Sequence, residues 1–268
     1  MKYYLRCLHA ETLKLRRTMA LWVVLAAPLL VHALILALFL VDRNPSLPPP
    51  DWDLIRQNIF AMWTTFTLPL LVTLLAALLA GMEHSQNHWK HLFALPLSRR
   101  AVVAAKWTMG AALIGLSSLV LVLATPITLF ILRQFTGSPY QLVVLQFLRP
   151  GINFELRDLS ILVETCRIAA AGYAASLFVL SIQTWISLRW QSFIVPNLVG
   201  VLAVIFNLGM MIAAFETVLK FFPWSLPMAA FLTLTKEGNF QSAIALGALG
   251  GLALAVPGIL SLARREVL

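Results

Sequence analysis

Residues 19–41 have the sequence MALWVVLAAPLLVHALILALFLV. This apolar run predicts a helix that crosses a bilayer, which takes about 20 apolar residues. The run is longer than the apolar part of a secretory signal, about 7–15 residues, and residues 42–45 (DRNP) do not form a cleavage pattern. Together with five later runs, it predicts an all-α membrane protein with six transmembrane helices, at residues 19–41, 59–81, 103–132, 167–188, 192–215 and 241–262.

The composition supports the same fold class. Of the 268 residues, 60% are hydrophobic and 12% are charged, whereas soluble domains have about 45–50% apolar and about 25% charged residues. So few charges are too few to cover a water-exposed surface. The length fits a single transmembrane domain over residues 1–268.

The basic residues predict the orientation. The formal net charge is +9, and the Lys and Arg residues lie in short blocks between the apolar runs, which indicates membrane topology and not a nucleic-acid partner. An N-terminus on the inside places twelve Lys and Arg residues on the inner side and eight on the outer side. The inner side then has three of the eleven acids, so it carries the whole net charge. We therefore expect both termini to be cytoplasmic.

The segment before the first span predicts an interfacial amphipathic helix over residues 3–18. Tyr3, Tyr4, Cys7 and Leu8 recur near helical spacing, with charged residues between them. The alternative is a disordered basic tail.

The loops on the outer side differ in character. Residues 42–58 contain four prolines and predict an extended, stiff loop, and residues 133–166 form the longest connection. Residues 216–240, which we call the outer segment, contain Pro223, Trp224 and Pro227 in an apolar stretch too short to cross. This stretch predicts either a re-entrant element in the outer leaflet or an interfacial aromatic anchor.

Small and polar residues within the spans predict helix packing. Gly172 lies in a run of small residues in the fourth span, and Gly247 and Gly251 form a G-x-x-x-G pair in the sixth. His32 and Gln183 predict hydrogen bonds between helices, with the lining of a substrate path as the alternative reading. The spans have no central Asp, Glu, Lys or Arg, which argues against a carrier driven by an ion gradient.

Enzyme motifs are nearly absent. The sequence has no G-x-x-x-x-G-K-[ST], H-E-x-x-H or G-x-S-x-G motif, so we expect no catalytic residue. Glu83, His84, His88 and His91 are spaced for one helical face, which leaves open a membrane-embedded metal enzyme as an alternative; a solvated or partner-facing helix is the simpler reading. The two cysteines fall on opposite sides of the bilayer and are expected to be free thiols.

Residues 83–106, which we call the inner loop, carry the most informative pattern. Glu83 closes the second span, and the next residues predict a short amphipathic helix that ends at Pro96. A helix held between two spans is suited to transmit force from a cytoplasmic partner, although an ordinary interfacial loop helix would show the same pattern. The apolar face of this helix consists of Trp89, Leu92, Phe93 and Leu95.

Three stretches of the chain resemble the type-2 ABC exporter permeases, in particular the small bacterial subunits of lantibiotic and peptide-antibiotic immunity transporters. The first is residues 9–18 (HAETLKLRRT). The second is Glu83 with residues 95–99 (LPLSR) and Lys106, and the third is residues 262–267 (LARREV). The six spans and the PWSLP stretch before the last span extend the resemblance over the whole chain.

The resemblance implies a role for the chain and for several residues. The inner loop would be the coupling helix that docks on a separate ABC ATPase subunit, which would bind the ATP and magnesium, and this chain would hold no cofactor. A second permease, identical or not, would complete the export pathway for an amphipathic substrate such as a peptide antibiotic, a drug or a lipid-like molecule. Glu83 would orient the loop, and the membrane would be the bacterial inner membrane. The long outer loop over residues 133–166 and the proline-rich residues 221–234 of the outer segment would form the outer gate. The contact with the ATPase would involve His84, His88, Trp89, Leu92, Phe93, Leu95 and Arg99.

Overall fold

The computed structural model describes residues 2–15, 18–41, 52–84, 98–136, 156–235 and 242–263. Within these ranges the chain is helical and contains no β-strand. A π-helical turn, Trp63–Thr67, joins α3 to α4, and a 3₁₀ turn, Pro223–Ser225, joins α8 to α9. The α-helices are α1 Lys2–Leu15, α2 Ala20–Val41, α3 Trp52–Met62, α4 Leu68–His84, α5 Arg99–Thr136, α6 Leu156–Arg189, α7 Ile194–Ile212, α8 Glu216–Phe221, α9 Leu226–Leu234 and α10 Ser242–Ala263.

The six predicted spans are confirmed. Six stretches of the described helices are long and apolar enough to cross a membrane. The second stretch includes α3, the π-helical turn and α4, and only residues 190–193 separate the fourth stretch from the fifth. The stretches are Ala20–Phe39, Asp53–Met82, Arg99–Leu132, Leu162–Arg189, Ile194–Ile212 and Ser242–Ser261.

Several helices extend beyond the apolar runs, and the predicted loop boundaries are wrong there. α3 begins at Trp52, inside the loop predicted over residues 42–58, and α6 begins at Leu156, inside the loop predicted over residues 133–166. Hydropathy marks only the part of a helix that lies in hydrocarbon, whereas the backbone hydrogen bonds continue into polar sequence. Ion pairs one turn apart accompany both extensions, Arg56 with Asp53 at 2.9 Å and Arg167 with Glu164 at 3.5 Å.

α6 is the central helix of the bundle. It packs against α10, α4, α9 and α5, and α2 packs against α5. The peripheral helices α2, α7 and α10 expose large apolar side chains, including Trp22, Ile212 and Leu249. Such faces are expected where a helix borders lipid and not water.

Small residues set the closest helix contacts. A Cβ atom on Gly251 would lie 2.6 Å from the carbonyl carbon of Leu177, and one on Gly247 would collide with the backbone of Ala175. The G-x-x-x-G face of α10 is thus packed on α6 of the same chain. Gly172 of α6 lies against the π-helical turn, where its Cβ would be 3.3 Å from a methyl group of Thr64.

We expect Gly247→Ala to destabilise the protein by about 1–3 kcal/mol, because the added methyl group forces α10 away from the backbone of α6. The midpoint of thermal or denaturant unfolding of the purified protein measures this loss. Gly209→Ala is the matched control, since no atom lies within 4 Å of the corresponding Cβ position on α7. Equal stability of the two variants would contradict the close packing of α10 on α6.

Candidate functional site

α1 is docked along the first turns of α5. Its residues Tyr4, Cys7 and Leu8 pack against Ala101 and neighbouring residues of α5. The Tyr4 hydroxyl donates a hydrogen bond to Thr108 Oγ1 at 3.0 Å. The N-terminal segment is therefore an ordered helix that is fixed to the bundle on its apolar side.

A buried ion pair completes this contact. Lys106 Nζ lies 3.0 Å from Glu11 Oε2 and donates a second hydrogen bond to the carbonyl of Leu79 at 2.7 Å. Glu11 and Lys106 are only 3% and 2% exposed. We call Glu11, Lys106 and the Leu79 carbonyl the α1 joint. It connects α1, α4 and α5 at a single ammonium group.

The energetics of the α1 joint make it an all-or-none contact. Two charges removed from water lose their hydration, and their attraction compensates only when both partners are present and hydrogen-bonded. Removing one partner leaves an uncompensated buried charge, at a cost of about 3–5 kcal/mol. The second cation on Glu11, Lys14 at 2.9 Å, is 34% exposed and contributes less because water screens it.

The α1 joint lies at the base of the inner loop. Leu79 precedes the end of α4 at His84 by little more than one turn, and Lys106 follows the start of α5 at Arg99 by two turns. Ser98 caps α5 by accepting a hydrogen bond from the Ala101 backbone N–H at 3.2 Å. Both helices that border the loop are therefore fixed to α1 and to each other.

The predicted coupling residues are only partly within the described chain. Glu83 and His84 form the last residues of α4, and Arg99 is the half-buried first residue of α5. The side chains of Glu83 and His84 lie outside the description, so the orienting role of Glu83 stays a prediction. The same holds for residues 85–97, which include His88, Trp89, Leu92, Phe93 and Leu95.

The metal alternative falls mostly on the same undescribed residues. Among the described residues, no group of three His, Cys, Asp or Glu side chains is arranged to hold a metal ion. Both cysteines are free, Cys7 buried and Cys166 exposed. Burial raises the pKa of the Cys7 thiol, and the nearby Glu11 carboxylate raises it further.

Two polar residues of the spans, His32 and Gln183, connect helices. The two ring nitrogens of His32 lie 3.1 Å from the Leu121 carbonyl and 3.0 Å from Thr128 Oγ1, which links α2 to α5. Gln183 Nε2 donates to Thr73 Oγ1 at 2.9 Å and to the Pro196 carbonyl at 3.3 Å, which links α6 to α4 and α7. These contacts are the interhelical hydrogen bonds predicted from the sequence.

Residues 224–231 of the outer segment are buried within the bundle. Trp224 and Pro227 are buried and Pro223 is half-buried, and α9 packs against α6 and α10. The Ser225 hydroxyl donates hydrogen bonds to the carbonyls of Leu219 and Phe222, which closes the turn between α8 and α9. The backbone of residues 216–235 is thus supported by protein, as an element near the membrane requires.

The α1 joint was not predicted from the sequence, although both charged residues lie within the stretches that carry the family resemblance. A weak signal was present. Glu11 is the one acidic residue in the sequence of α1, and Lys106 lies inside α5, past the loop arginines. A lone acid on an amphipathic helix and a lone cation in an apolar stretch are candidates to form an ion pair with each other. The sequence, however, does not show which helices are in contact.

We expect Lys106→Met to release α1 and expose Cys7, so that a maleimide labels Cys7 at least several-fold faster in a Cys166→Ser background. Burial is the largest cause of the raised thiol pKa, so release of α1 speeds labelling both through access to the sulfur and through a larger thiolate fraction. Labelling rates measured by mass spectrometry test this expectation. Lys14→Met, which removes the exposed partner of Glu11, is the control and should label no faster than the parent, because the Lys14 charge lowers the pKa of Cys7. An unchanged rate in Lys106→Met would contradict the anchoring role of the α1 joint.

Comparison with known proteins identifies the family. A family model described as ABC-2 family transporter protein matches residues 7–207, which run from α1 through the inner loop and the α1 joint into α7. No curated protein and no solved structure matches this chain. Because the match covers most of the chain and the six spans agree with it, the protein belongs to the ABC-2 family of transporter membrane proteins.

Proposed function

We propose that this chain is the permease subunit of a bacterial ABC exporter and that the inner loop couples it to a separate ATPase subunit. The α1 joint is the observation that carries this proposal. It fixes both ends of the inner loop to α1 at one buried ion pair. A push on such a loop is transmitted to α4 and α5 as a unit and is not absorbed at the loop ends.

The path of force continues from the loop into the core of the bundle. α4 and α5 both pack against α6, and α6 packs against α10 and α9. A displacement of the α4–α5 pair therefore reaches the outer segment through α6. We propose that Pro223, Trp224 and Pro227 gate the outer end of the pathway, since α9 rests on the two helices that this displacement would move.

The other components of the transporter are proposed from family membership and from the distribution of charge. A membrane component of the ABC-2 family works with ATPase subunits, and this sequence has no Walker A motif, so ATP and magnesium would bind to the partner. A second permease, an identical chain or a homologue, would form the pathway with this one. The amphipathic substrate, the bacterial inner membrane and the cytoplasmic termini follow from the resemblance and the basic inner side.

The purified chain is expected to hydrolyse no ATP, whereas the complex captured on the tagged chain from its native membranes should contain an ATP-hydrolysing subunit. Photolabelling with an azido-ATP analogue and an assay of phosphate release distinguish the two preparations. Robust hydrolysis by the chain alone would refute the assignment.

Trp89→Ala and Leu92→Glu are expected to reduce recovery of the ATPase with the tagged chain by about tenfold or more, because each removes an apolar anchor from the proposed docking face. The measurements are the amount of ATPase that co-purifies and its stimulation by substrate. Trp190→Ala is a matched control, since this exposed tryptophan lies at the same end of the bundle in the α6–α7 connection. Normal recovery and normal stimulation in both loop variants would show that the ATPase docks elsewhere.

A further inference from the structure

A groove opens on the lipid-facing surface between α5, α6 and α10. It is open on one side, and the roughly 220 Å³ of space between its walls includes part of the open surroundings. An open groove of this kind suits a chain that lies along the surface. The lining residues include Val103, Trp107, Ser181, Trp185, Ala255 and Gly258.

The walls of the groove are fixed by hydrogen bonds. Trp107 Nε1 donates to Ser181 Oγ at 2.9 Å, and Ser181 Oγ in turn donates to the Gly251 carbonyl at 2.6 Å. Trp185 Nε1 donates to Ser261 Oγ at 3.2 Å. Since both indole N–H groups already have protein partners, the two rings present apolar surface to the groove.

Both long helices lead from the groove to an arginine at the same end. On α6, Ser181, Trp185 and Arg189 follow at four-residue spacing and so share one face. On α5, Trp107, Val103 and Arg99 are also four residues apart and share one face, but this row runs toward the N-terminus of its helix.

Contacts between α5 and α6 show that the two helices are antiparallel. Trp107 contacts Ser181, whereas Gly115, further along α5, faces Tyr173, which is earlier on α6. Arg99 and Arg189 therefore lie at the same end of the groove, one turn beyond its tryptophan and valine lining.

Arg189 and Arg99 bring positive charge to this end of the groove. Arg189 is exposed and lies 5.6 Å from the centroid of the Trp190 ring, and Trp190 packs edge-on against Trp185. Residues 99–107, 181–189 and 254–263, which border this end, contain no Asp or Glu. Tryptophans beside arginines are typical of the level at which lipid headgroups meet hydrocarbon.

We propose that this groove is a binding site for an anionic phospholipid. One acyl chain would lie along Val103, Ala255 and Gly258 between the two tryptophan rings. The phosphate would accept charge-assisted hydrogen bonds from Arg189, with Arg99 contributing to the positive field. The proposal requires only that the chain spans a membrane, so it does not depend on the proposed ATPase coupling.

The test is the thermal stability of the full-length chain in a neutral detergent, with added phosphatidylglycerol, phosphatidylcholine of the same acyl chains, or inorganic phosphate. Phosphatidylglycerol near a hundredfold its Kd is expected to raise the Tm by about 5 °C or more, and the other two additions should have little effect. In Arg189→Gln the apparent affinity should fall about tenfold, and Arg189→Lys, which keeps the charge, should restore most of it.

A second variant tests the groove itself. Gly258→Leu fills it, and the first added carbon is tolerated because the nearest atom to the Cβ position, on Trp185, is 3.8 Å away. This variant should lose the response to phosphatidylglycerol. Gly209→Leu on the open face of α7 and Arg167→Gln at the opposite end of α6 are the controls and should keep it.

Three results would overturn the proposal. They are an equal shift with both phospholipids, the full shift with inorganic phosphate alone, and an unchanged response to phosphatidylglycerol in both Arg189→Gln and Gly258→Leu. Because Gly258→Leu leaves every charge in place, its response separates the groove from a general effect of charge on stability.

Discussion

The ion pair of Glu11 with Lys106 is the contact on which the rest of the proposed mechanism depends. Separating a buried ion pair leaves two charges without water or a partner, which costs much more free energy than separating a surface pair. The buried pair therefore resists displacement. The same ammonium group also binds the Leu79 carbonyl. This one group therefore links α1, α4 and α5 at the base of the inner loop. In the proposed mechanism, the amphipathic N-terminal helix takes part in transmitting force and is not merely a membrane anchor.

Close backbone packing holds α10 on α6. The two helices approach at backbone distance through Gly247 and Gly251, a separation that side chains larger than hydrogen would prevent. α2 and α7 are joined to the rest of the bundle in part by the hydrogen bonds of His32 and Gln183. In hydrocarbon there is no hydrophobic drive between helices, so close packing and buried hydrogen bonds decide which helices stay together. The lipid-facing groove arises where α5, α6 and α10 meet but do not close.

Much of the fold could be predicted because the bilayer acts on local sequence. An apolar run of sufficient length must cross as a helix, since its backbone groups have no other hydrogen-bond partners in hydrocarbon. That rule located the six spans, but it failed at the polar extensions, where α3 starts at Trp52 and α6 at Leu156. At these positions the helices continue into polar sequence outside the hydrocarbon, where a hydropathy pattern does not indicate a helix. Of the candidate site, Arg99 and the ends of the inner loop could be placed from the motif. The α1 joint could not be placed, because Glu11 and Lys106 are far apart in the chain and each alone resembles an ordinary surface charge.

The sequence by itself determined the membrane class, the number and order of the spans and the family resemblance. All of these depend on composition or on short stretches read in order. Only the tertiary structure decided which charges meet, which helix receives the glycine face of α10, and how Trp107, Trp185 and the two arginines border one groove. These outcomes depend on which helices are neighbours and at what rotation, and many arrangements of six apolar helices satisfy the same hydropathy. Short-range contacts such as a buried ion pair or a backbone approach distinguish between those arrangements, and they form only between residues that the chain order does not bring together.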